Sequence, residues 1–435
     1  KSALESLRQS IKKHQEEILT ALEEDLGKSA FEAYTAELYT VFGEIRYAKK
    51  HVRRWTKPRK VPTPLVALPG RSRIHRDPFG VALILAPWNY PVHLALMPLV
   101  GALAAGNCAI VKPSEFAPAS AAVIEKIVGS AFDPAHVCVV QGEAPVAAAL
   151  VEASVDIVFF TGGTEIGRKV YQAAAKGLKP VVLELGGMCP CLVDATVDPA
   201  VAARRIAWGR YYNAGQTCLA PDYVCVTAEA APHLEEALGS AVREFFGVKP
   251  LNHRDFGNIV NRRHYDRLSR LLDEALSEES SHLLYGGERD PGQLRIAPTA
   301  LRAGEESVLM QGEIFGPILQ LMVVETMDDA FEVVGRHPDP LAAYLFSRDP
   351  EARRRFETLR YGGGMINDTI VHLSSSRLPF GGVGTSGLGS YHGKESFDTF
   401  SRPKSILRRG ERPDIPLRYP PYGDRLRLFR RLFPD

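Results

Sequence analysis

The chain has 435 residues, of which 45% are hydrophobic and 24% are charged, and its formal net charge is +2 at pH 7. This length allows a large core and about two or three domains, while the ordinary composition and near-balanced charge argue against nucleic acid as a partner. The six cysteines form neither C-x-x-C pairs nor a dense disulfide framework, so we predict a cytoplasmic protein without a metal site.

The first 55 residues show a helical pattern. Apolar residues recur at three-, four- and seven-residue steps from Leu4 to Leu26, which predicts one amphipathic helix that ends at Gly27. A second helix is expected up to Trp55, and the proline-rich residues 58–69 predict a connector. No apolar run in the sequence reaches about 18 residues, so we expect no integral membrane segment.

Short apolar runs then alternate with helical segments between residues 81 and 187. The runs comprise residues 81–86, 109–111, 137–140, 157–160 and 181–183. This alternation predicts a doubly wound, Rossmann-like parallel sheet with helical crossovers. Ligands bind outside the carboxyl ends of the strands in such sheets, and the motifs that begin at Pro87, Lys112, Thr161 and Glu184 each follow one of these runs.

A second α/β region is predicted from Met188 to about Gly389. Helices are expected at residues 200–209, 233–246, 265–276 and 351–360, and strands at 223–226, 319–324, 342–346 and 364–366. The tail from Arg402 is rich in Arg and Pro. We interpret it as a solvated end that contacts a partner subunit rather than a membrane surface.

The candidate nucleophile is Cys218, at the end of the segment Tyr-Asn-Ala-Gly-Gln-Thr-Cys. A lone intracellular cysteine is more often a small buried hydrophobe, but Gly215 and Asn213 predict a tight loop that presents the sulfur. Attack on a carbonyl creates an oxyanion, for which the N–H of Cys218 and the side-chain amide of Asn89 are the natural donors. The alternative role for Asn89 is a cap on the following helix.

Glu184 ends the fifth apolar run and precedes Gly186 and Gly187. A carboxylate is costly to bury without a partner or a chemical task. We therefore predict that Glu184 is a general base that activates water, with a pKa that burial raises. The alternative is a salt bridge to a nearby Lys or Arg.

Three further stretches are candidates for binding a nucleotide cofactor. The stretch Phe-Thr-Gly-Gly-Thr-Glu-Ile-Gly (160–167) combines a strand end, a glycine turn and a helix start, where backbone can approach a phosphate; it is not the G-x-G-x-x-G pattern and is weak by itself. Lys112 and Glu115 are placed to bind ribose hydroxyls, with a solvated strand end as the alternative. Glu313 and Phe315 suit a ribose and a flat ring, with a simple turn as the alternative.

The chain resembles an aldehyde dehydrogenase, and within that family the short class 3 group of fatty and aromatic aldehyde dehydrogenases. The resemblance covers nearly the whole chain and rests on the joint order of PWNYP, KPSE, FTGGTEIG, LELGG, GQTC, EIFGP, PFGGVG and SYHGKESFDTFS. It implies an NAD(P)-binding domain at residues 1–187, a catalytic domain at 188–392, and an oligomerisation strand with a C-terminal tail at 393–435. Residues 66–80 would contribute to a small oligomerisation arm.

The resemblance also implies roles for individual residues. The catalytic residues are Cys218, Glu184 and Asn89. The cofactor-binding residues are Trp88, Lys112, Ser114, Glu115, Thr161, Gly162, Gly163, Thr164, Gly167, Leu185, Glu313 and Phe315. The substrate channel is expected to include Tyr47, Tyr212, Asn367 and His372.

The resemblance implies oxidation of medium- or long-chain aliphatic or aromatic aldehydes to carboxylic acids through a thiohemiacetal and a thioester on Cys218. We favour NAD because Glu115 would repel a 2′-phosphate, with NADP as the alternative. The resemblance further implies a homodimer in which residues 397–406 reach the second subunit. A CoA-acylating dehydrogenase is a second interpretation, against which Glu184 argues, and a non-catalytic protein that keeps the fold is a third.

Overall fold

The computed structural model describes residues 1–337, 339–414 and 418–432. It divides into two compact units. The larger unit comprises Lys1–Trp55 and Pro78–Ser401, and the smaller unit comprises Thr56–Asp77 and the described part of Arg402–Asp435. Among the described residues, no helix has both the length and the apolar character needed to cross a bilayer.

Helices make up the first 55 residues: α1 (Ser2–Lys13), α2 (Gln15–Leu26), α3 (Ala30–Ala33), a π-helical turn (Tyr34–Tyr39) and α4 (Thr40–Trp55). The prediction of one helix up to Gly27 was wrong, because the helix breaks at His14, where the backbone N–H and the ring Nδ1 both contact the carbonyl oxygen of Ser10. The predicted end is confirmed, since Gly27 adopts a left-handed conformation with φ 62°.

The predicted connector at residues 58–69 contains regular structure. It holds a short strand, β1 (Arg59–Val61), and a 3₁₀ turn (Leu65–Ala67). β1 pairs antiparallel with β2 (Arg71–Pro78). The proline-rich connector thus carries a strand that the sequence pattern did not indicate, because the three residues of β1 lie between the prolines and remain free to pair.

The first sheet follows from β3 onward and alternates strands with helices: β3 (Val81–Leu85), α5 (Pro91–Ala105), β4 (Cys108–Lys112), α6 (Pro118–Ala131), β5 (Val137–Val139), α7 (Ala144–Glu152), β6 (Ile157–Thr161), α8 (Thr164–Lys176) and β7 (Val181–Glu184). The parallel strands lie in the order β7-β6-β3-β4-β5. The chain therefore starts in the middle of the sheet, builds one side and then the other, which confirms the doubly wound prediction. The direction of strand addition reverses between β3 and β6, and this reversal leaves a crevice at the carboxyl ends of the two strands.

The second region contains a larger sheet, a two-stranded antiparallel sheet formed by β11 and β12, and helices. Its elements are β8 (Cys189–Val193), α9 (Pro199–Tyr211), β9 (Pro221–Thr227), α10 (Ala231–Phe246), α11 (Arg262–Ser277), β10 (His282–Tyr285), β11 (Arg289–Asp290), β12 (Arg295–Ile296), β13 (Thr299–Arg302), β14 (Ile318–Val324), α12 (Met327–Arg336), β15 (Ala342–Phe346), α13 (Pro350–Thr358) and β16 (Gly363–Ile366). Seven strands lie in the order β10-β13-β14-β9-β8-β15-β16, with only β10 antiparallel to its neighbour.

Sequence patterns missed β8, which is central to this second sheet. It contains Pro190, a residue that normally argues against a central strand. The register between β8 and β9 shifts at Cys189 and Pro190, and this irregularity accommodates the proline.

The last elements are β17 (Gly387–Leu388), α14 (Gly393–Thr399), β18 (Ser401–Arg408) and α15 (Arg425–Leu432). β17 returns to the first sheet and pairs antiparallel with β7, so that Gly387 faces Glu184. β18 joins β2 and β1 in a separate three-stranded sheet. The predicted domain boundaries stay a prediction, and residues 415–417 and 433–435 of the tail lie outside the described residues.

Candidate active site

One cavity collects residues from motifs that are far apart in the sequence. Its volume is about 250 Å³, and it opens at the carboxyl ends of β3, β6 and β7. Cys218, Glu184 and Asn89 all line it. Seven of the predicted cofactor residues join them: Trp88, Thr161, Gly162, Gly163, Leu185, Glu313 and Phe315.

The loop that carries Cys218 is held in a strained backbone conformation. Asn213 and Ala214 have φ values of 54° and 52°, and Gly215 has φ 73°. A Cβ at Gly215 would overlap the carbonyl oxygen of Gly316, so only glycine fits there. The buried Gln216 side chain fixes the loop further, since its amide donates to the carbonyl of Asn258 at 2.9 Å and its oxygen accepts from the N–H of Val260 at 2.9 Å. Cys218 is thereby presented to the cavity, as the sequence predicted.

The environment of Cys218 disfavours the thiolate. Burial raises the pKa of the Cys218 thiol well above its ordinary value, and the nearby carboxylates of Glu313 and Glu184 raise it further. Hydrogen bonds from the N–H groups of Cys218 and Leu219 lower the pKa, but they offset only part of the increase. The Cys218 thiol therefore holds its proton more tightly than an ordinary cysteine does.

Asn89 lies in the loop between β3 and α5 and is buried. It does not cap α5, because Tyr90 is the N-cap residue and the cap has no side-chain hydrogen bond. Instead, the Asn89 Nδ2 donates to the carbonyl oxygen of Gln216 at 3.0 Å. An amide nitrogen carries two hydrogens, so this bond fixes the side chain beside the Cys218 loop and leaves the second hydrogen for an oxyanion.

Glu184 is the last residue of β7, and 3% of its surface is exposed. Neither carboxyl oxygen has a hydrogen-bond partner among the described residues, so the salt-bridge alternative is not what the structure holds. Burial raises the pKa of this carboxyl well above its ordinary value. An unpartnered carboxyl that faces the same cavity as a thiol is placed to exchange a proton with water.

The Glu313–Phe315 loop is organised by a buried ion pair that the sequence did not single out. Arg210 is fully buried and donates to Asp222 Oδ1 at 3.1 Å and to the carbonyl of Gly316 at 2.6 Å. The same Asp222 oxygen accepts from the N–H of Ile314 at 3.1 Å. The only sequence signal was an arginine in the otherwise apolar last turn of α9, which is too common a feature to assign a role.

Glu313 and Phe315 complete the cavity wall opposite the glycine turn. The Phe315 ring meets the Trp88 ring edge-on, with centroids 5.4 Å apart. Burial raises the pKa of the Glu313 carboxyl well above its ordinary value, and Asp222 adds to the increase. A Cβ at Gly186 would overlap the Glu313 carboxylate, so this glycine allows the close approach.

Five predicted cofactor residues lie outside the main cavity. Lys112 and Glu115 pair with each other at 2.7 Å at the end of β4, next to Ser114. Gly167 faces the Leu185 side chain, which leaves no room for a Cβ. Thr164 lines a neighbouring depression that shares Gly186 and Glu313 with the cavity.

The predicted substrate residues do not line this cavity. The Tyr47 ring packs against His51 and Trp55, and the Tyr212 hydroxyl lies 3.3 Å from Thr35 Oγ1. Asn367 accepts from the N–H of Ser347 at 3.0 Å, and His372 lies beside Phe380. The cavity wall also contains residues for which the sequence indicated no role at the site, namely Leu94, His264, Arg267, Leu341 and Tyr391. Phe380 of the PFGGVG motif lines the cavity too.

Comparison with known proteins identifies the family of this chain. Residues 1–406 match the aldehyde dehydrogenase family. The 4,4'-diaponeurosporen-aldehyde dehydrogenase of Staphylococcus aureus (strain NCTC 8325 / PS 47) is 43% identical over 435 residues, which is 100% of this chain and 94% of the relative. Aldehyde dehydrogenase family 3 member H1 of Arabidopsis thaliana is 44% identical over 423 residues, 96% of this chain and 87% of the relative. The solved substrate-bound state of Staphylococcus aureus AldH superposes with a TM-score of 0.95 at 42% identity, over 99% of this chain and 94% of that one.

Proposed function

This chain belongs to the aldehyde dehydrogenase family and is an oxidoreductase, and we propose that it oxidises medium- or long-chain aliphatic or aromatic aldehydes to carboxylic acids with NAD. The observation that carries the proposal is the convergence of Cys218, Asn89 and Glu184 on one cavity. The rest of its wall is mainly apolar and aromatic, which suits a hydrophobic aldehyde. The name of the Staphylococcus aureus relative also refers to an aldehyde.

The residues present fit a dinucleotide. Glu313 Oε1 is buried without a hydrogen-bond partner among the described residues, and a ribose hydroxyl would supply one. Gly162 and Gly163 precede α8, whose N-terminus suits a pyrophosphate. Lys112 and Glu115 would bind the adenosine ribose, and the Glu115 carboxylate favours NAD over NADP.

In the first chemical step, the Cys218 thiol passes its proton to water in the cavity, and the sulfur attacks the aldehyde carbon. A carbon–sulfur bond forms, and the carbonyl electron pair moves to the oxygen. The Asn89 Nδ2 and the N–H of Cys218 would donate to this oxyanion. Because these donors are buried and already oriented, they stabilise the charge without reorganisation.

The second step releases the acid. When bound, NAD would supply the hydride acceptor for oxidation of the thiohemiacetal on Cys218 to a thioester. Glu184 then takes a proton from water as the water attacks the thioester carbon, and the carbon–sulfur bond breaks to return the Cys218 sulfur. A CoA-acylating enzyme would not need this carboxyl.

The proposal also includes a cytoplasmic homodimer in which residues 397–406 contact the second subunit. Light scattering that found only a monomer would remove the dimer from the proposal. It would leave the chemistry of Cys218 untouched.

The test is NADH formation with a panel of apolar aldehydes, with reduced enzyme and no CoA. We expect turnover of hydrophobic aldehydes, a higher kcat/KM with NAD than with NADP, and no turnover by Cys218→Ala. The variant Glu17→Gln, which changes an exposed residue far from Cys218 in the sequence, serves as a control for the effect of a substitution as such. A strict requirement for CoA, or no turnover of any hydrophobic aldehyde by the wild type, would overturn the proposal.

A further inference from the structure

A buried ion pair lies behind the candidate site, in the N-terminal helical segment. Lys28 Nζ and Glu37 Oε1 are 2.5 Å apart, and both side chains are 0% exposed. Burying two charges costs more free energy than their attraction returns unless further hydrogen bonds are made. The additional partners of the two side chains therefore indicate what the pair does.

Lys28 contacts the loop of the oxyanion donor directly. Its Nζ donates to the backbone carbonyl of Asn89 at 2.8 Å and lies 4.1 Å from the centre of the Tyr90 ring. The Tyr90 hydroxyl in turn lies 2.6 Å from Thr217 Oγ1, in the residue before the nucleophile. One ammonium group thus contacts two consecutive residues, Asn89 and Tyr90, and both are hydrogen-bonded to the Cys218 loop.

Glu37 holds the other end of the same loop. Its Oε2 accepts from the N–H groups of Val92 at 2.8 Å and His93 at 3.1 Å, in the first turn of α5. These are donors that a helix N-terminus leaves without partners. Glu37 lies in the π-helical turn, a rare conformation that is frequent at functional sites, and this turn directs the carboxylate inward.

The peptide of Asn89 is consequently fixed from several sides. Its carbonyl also accepts from Asn213 Nδ2 at 2.8 Å, and its side chain donates to Gln216. We infer that Lys28 and Glu37 are positioning residues, which hold the Asn89 amide in the orientation that stabilises an oxyanion beside Cys218. The inference rests on the proposed function of Asn89. Such donors work only when they are held within about 0.5 Å of the productive position.

The test removes both charges while keeping the volume, with the double variant Lys28→Met/Glu37→Gln. We expect kcat to fall by about 10- to 100-fold, less than the loss of an entire oxyanion donor, with the KM for the dinucleotide unchanged. The exposed pair Lys126 and Glu17 provides the matched control, Lys126→Met/Glu17→Gln, for which we expect unchanged kcat. The single variant Glu37→Gln replaces the double variant if the latter does not fold.

A double-mutant cycle with Asn89→Ala separates positioning from general stability. If the pair acts through Asn89, the double variant lowers kcat when Asn89 is present but changes kcat less than twofold in the Asn89→Ala background. The fall in Tm should be the same in both backgrounds. Equal loss of kcat in the two backgrounds would overturn the inference. Iodoacetamide alkylation of Cys218, which forms no oxyanion, should change less than threefold, and a larger change would count equally against it.

Hydrolysis of 4-nitrophenyl acetate keeps this test independent of the proposed substrate. Acylation of Cys218 by an ester forms an oxyanion at the same place and needs no dinucleotide. If the wild type hydrolyses the ester but oxidises no aldehyde, the proposed function fails while the cycle is still measured on the ester. If aldehydes are oxidised and the cycle shows no dependence on Asn89, only the positioning inference fails.

Discussion

Replacement of Glu184 by Gln should separate the two halves of the proposed reaction. The substitution preserves size and shape, and no hydrogen bond of the carboxyl oxygens is lost, since neither has a partner among the described residues. We therefore expect little change in Tm. What the variant loses is the capacity to take a proton from water.

The size of the effect follows from the role and the surroundings of this carboxyl. A general base accelerates a reaction by about 100- to 10,000-fold, or about 3 to 5 kcal/mol of activation free energy. Burial raises the pKa of Glu184, so the carboxyl ionises at higher pH than an ordinary glutamate and the wild-type rate should rise as the pH increases. The ratio of wild-type to variant kcat should consequently grow with pH.

The assay is rapid-mixing absorbance of NADH with saturating aldehyde. Glu184→Gln should form about one NADH per active site at close to the wild-type rate and then stall, because the acyl group remains on Cys218. Mass spectrometry of the stalled protein should find that acyl adduct on Cys218. If burst and steady state fell together, the assignment of Glu184 to water activation would be wrong.

Three further outcomes are expected. Cys218→Ser should abolish both burst and turnover, and an active serine variant would remove the thiol from the mechanism. Gly186→Ala should raise the KM for NAD with little change in Tm, because the added Cβ would displace the Glu313 carboxylate. An unchanged KM would show that NAD binding does not need the Glu313 carboxylate close to residue 186. Burial lowers the pKa of His93 and His392 to about 3. Below about pH 6.5 the unfolded chain therefore binds more protons than the folded chain, and the free energy of unfolding should fall by about 2 kcal/mol per histidine at pH 5. Urea titrations at several pH values measure this fall. If His93→Gln and His392→Gln left the pH dependence unchanged, the assignment to these histidines would be wrong.

Local sequence determined the fold class and much of the cavity wall. Five apolar runs separated by helical segments are compatible with few arrangements other than a doubly wound parallel sheet, and that topology brings the strand ends to one edge. Thr161 and Glu184 are the last residues of their strands and Trp88 follows β3, so their convergence on the cavity followed from the topology.

Residues whose roles depend on distant partners could not be found in this way. Lys28 and Glu37 look like any charged residues of a helical segment, and only folding places them behind Asn89. Arg210 likewise gains its role from Gly316, more than a hundred residues away.

The same physical reason explains which features could be predicted from the sequence and which could not. Backbone pairing and burial of apolar runs are determined by short periodic patterns, so the chain specifies its strands and their motifs locally. The support of a site comes from single polar groups that meet across loops, and their free energy depends on a distance that exists only after packing. The sequence therefore determined the scaffold and most of the candidate reacting groups, while tertiary structure decided which buried charges contact them.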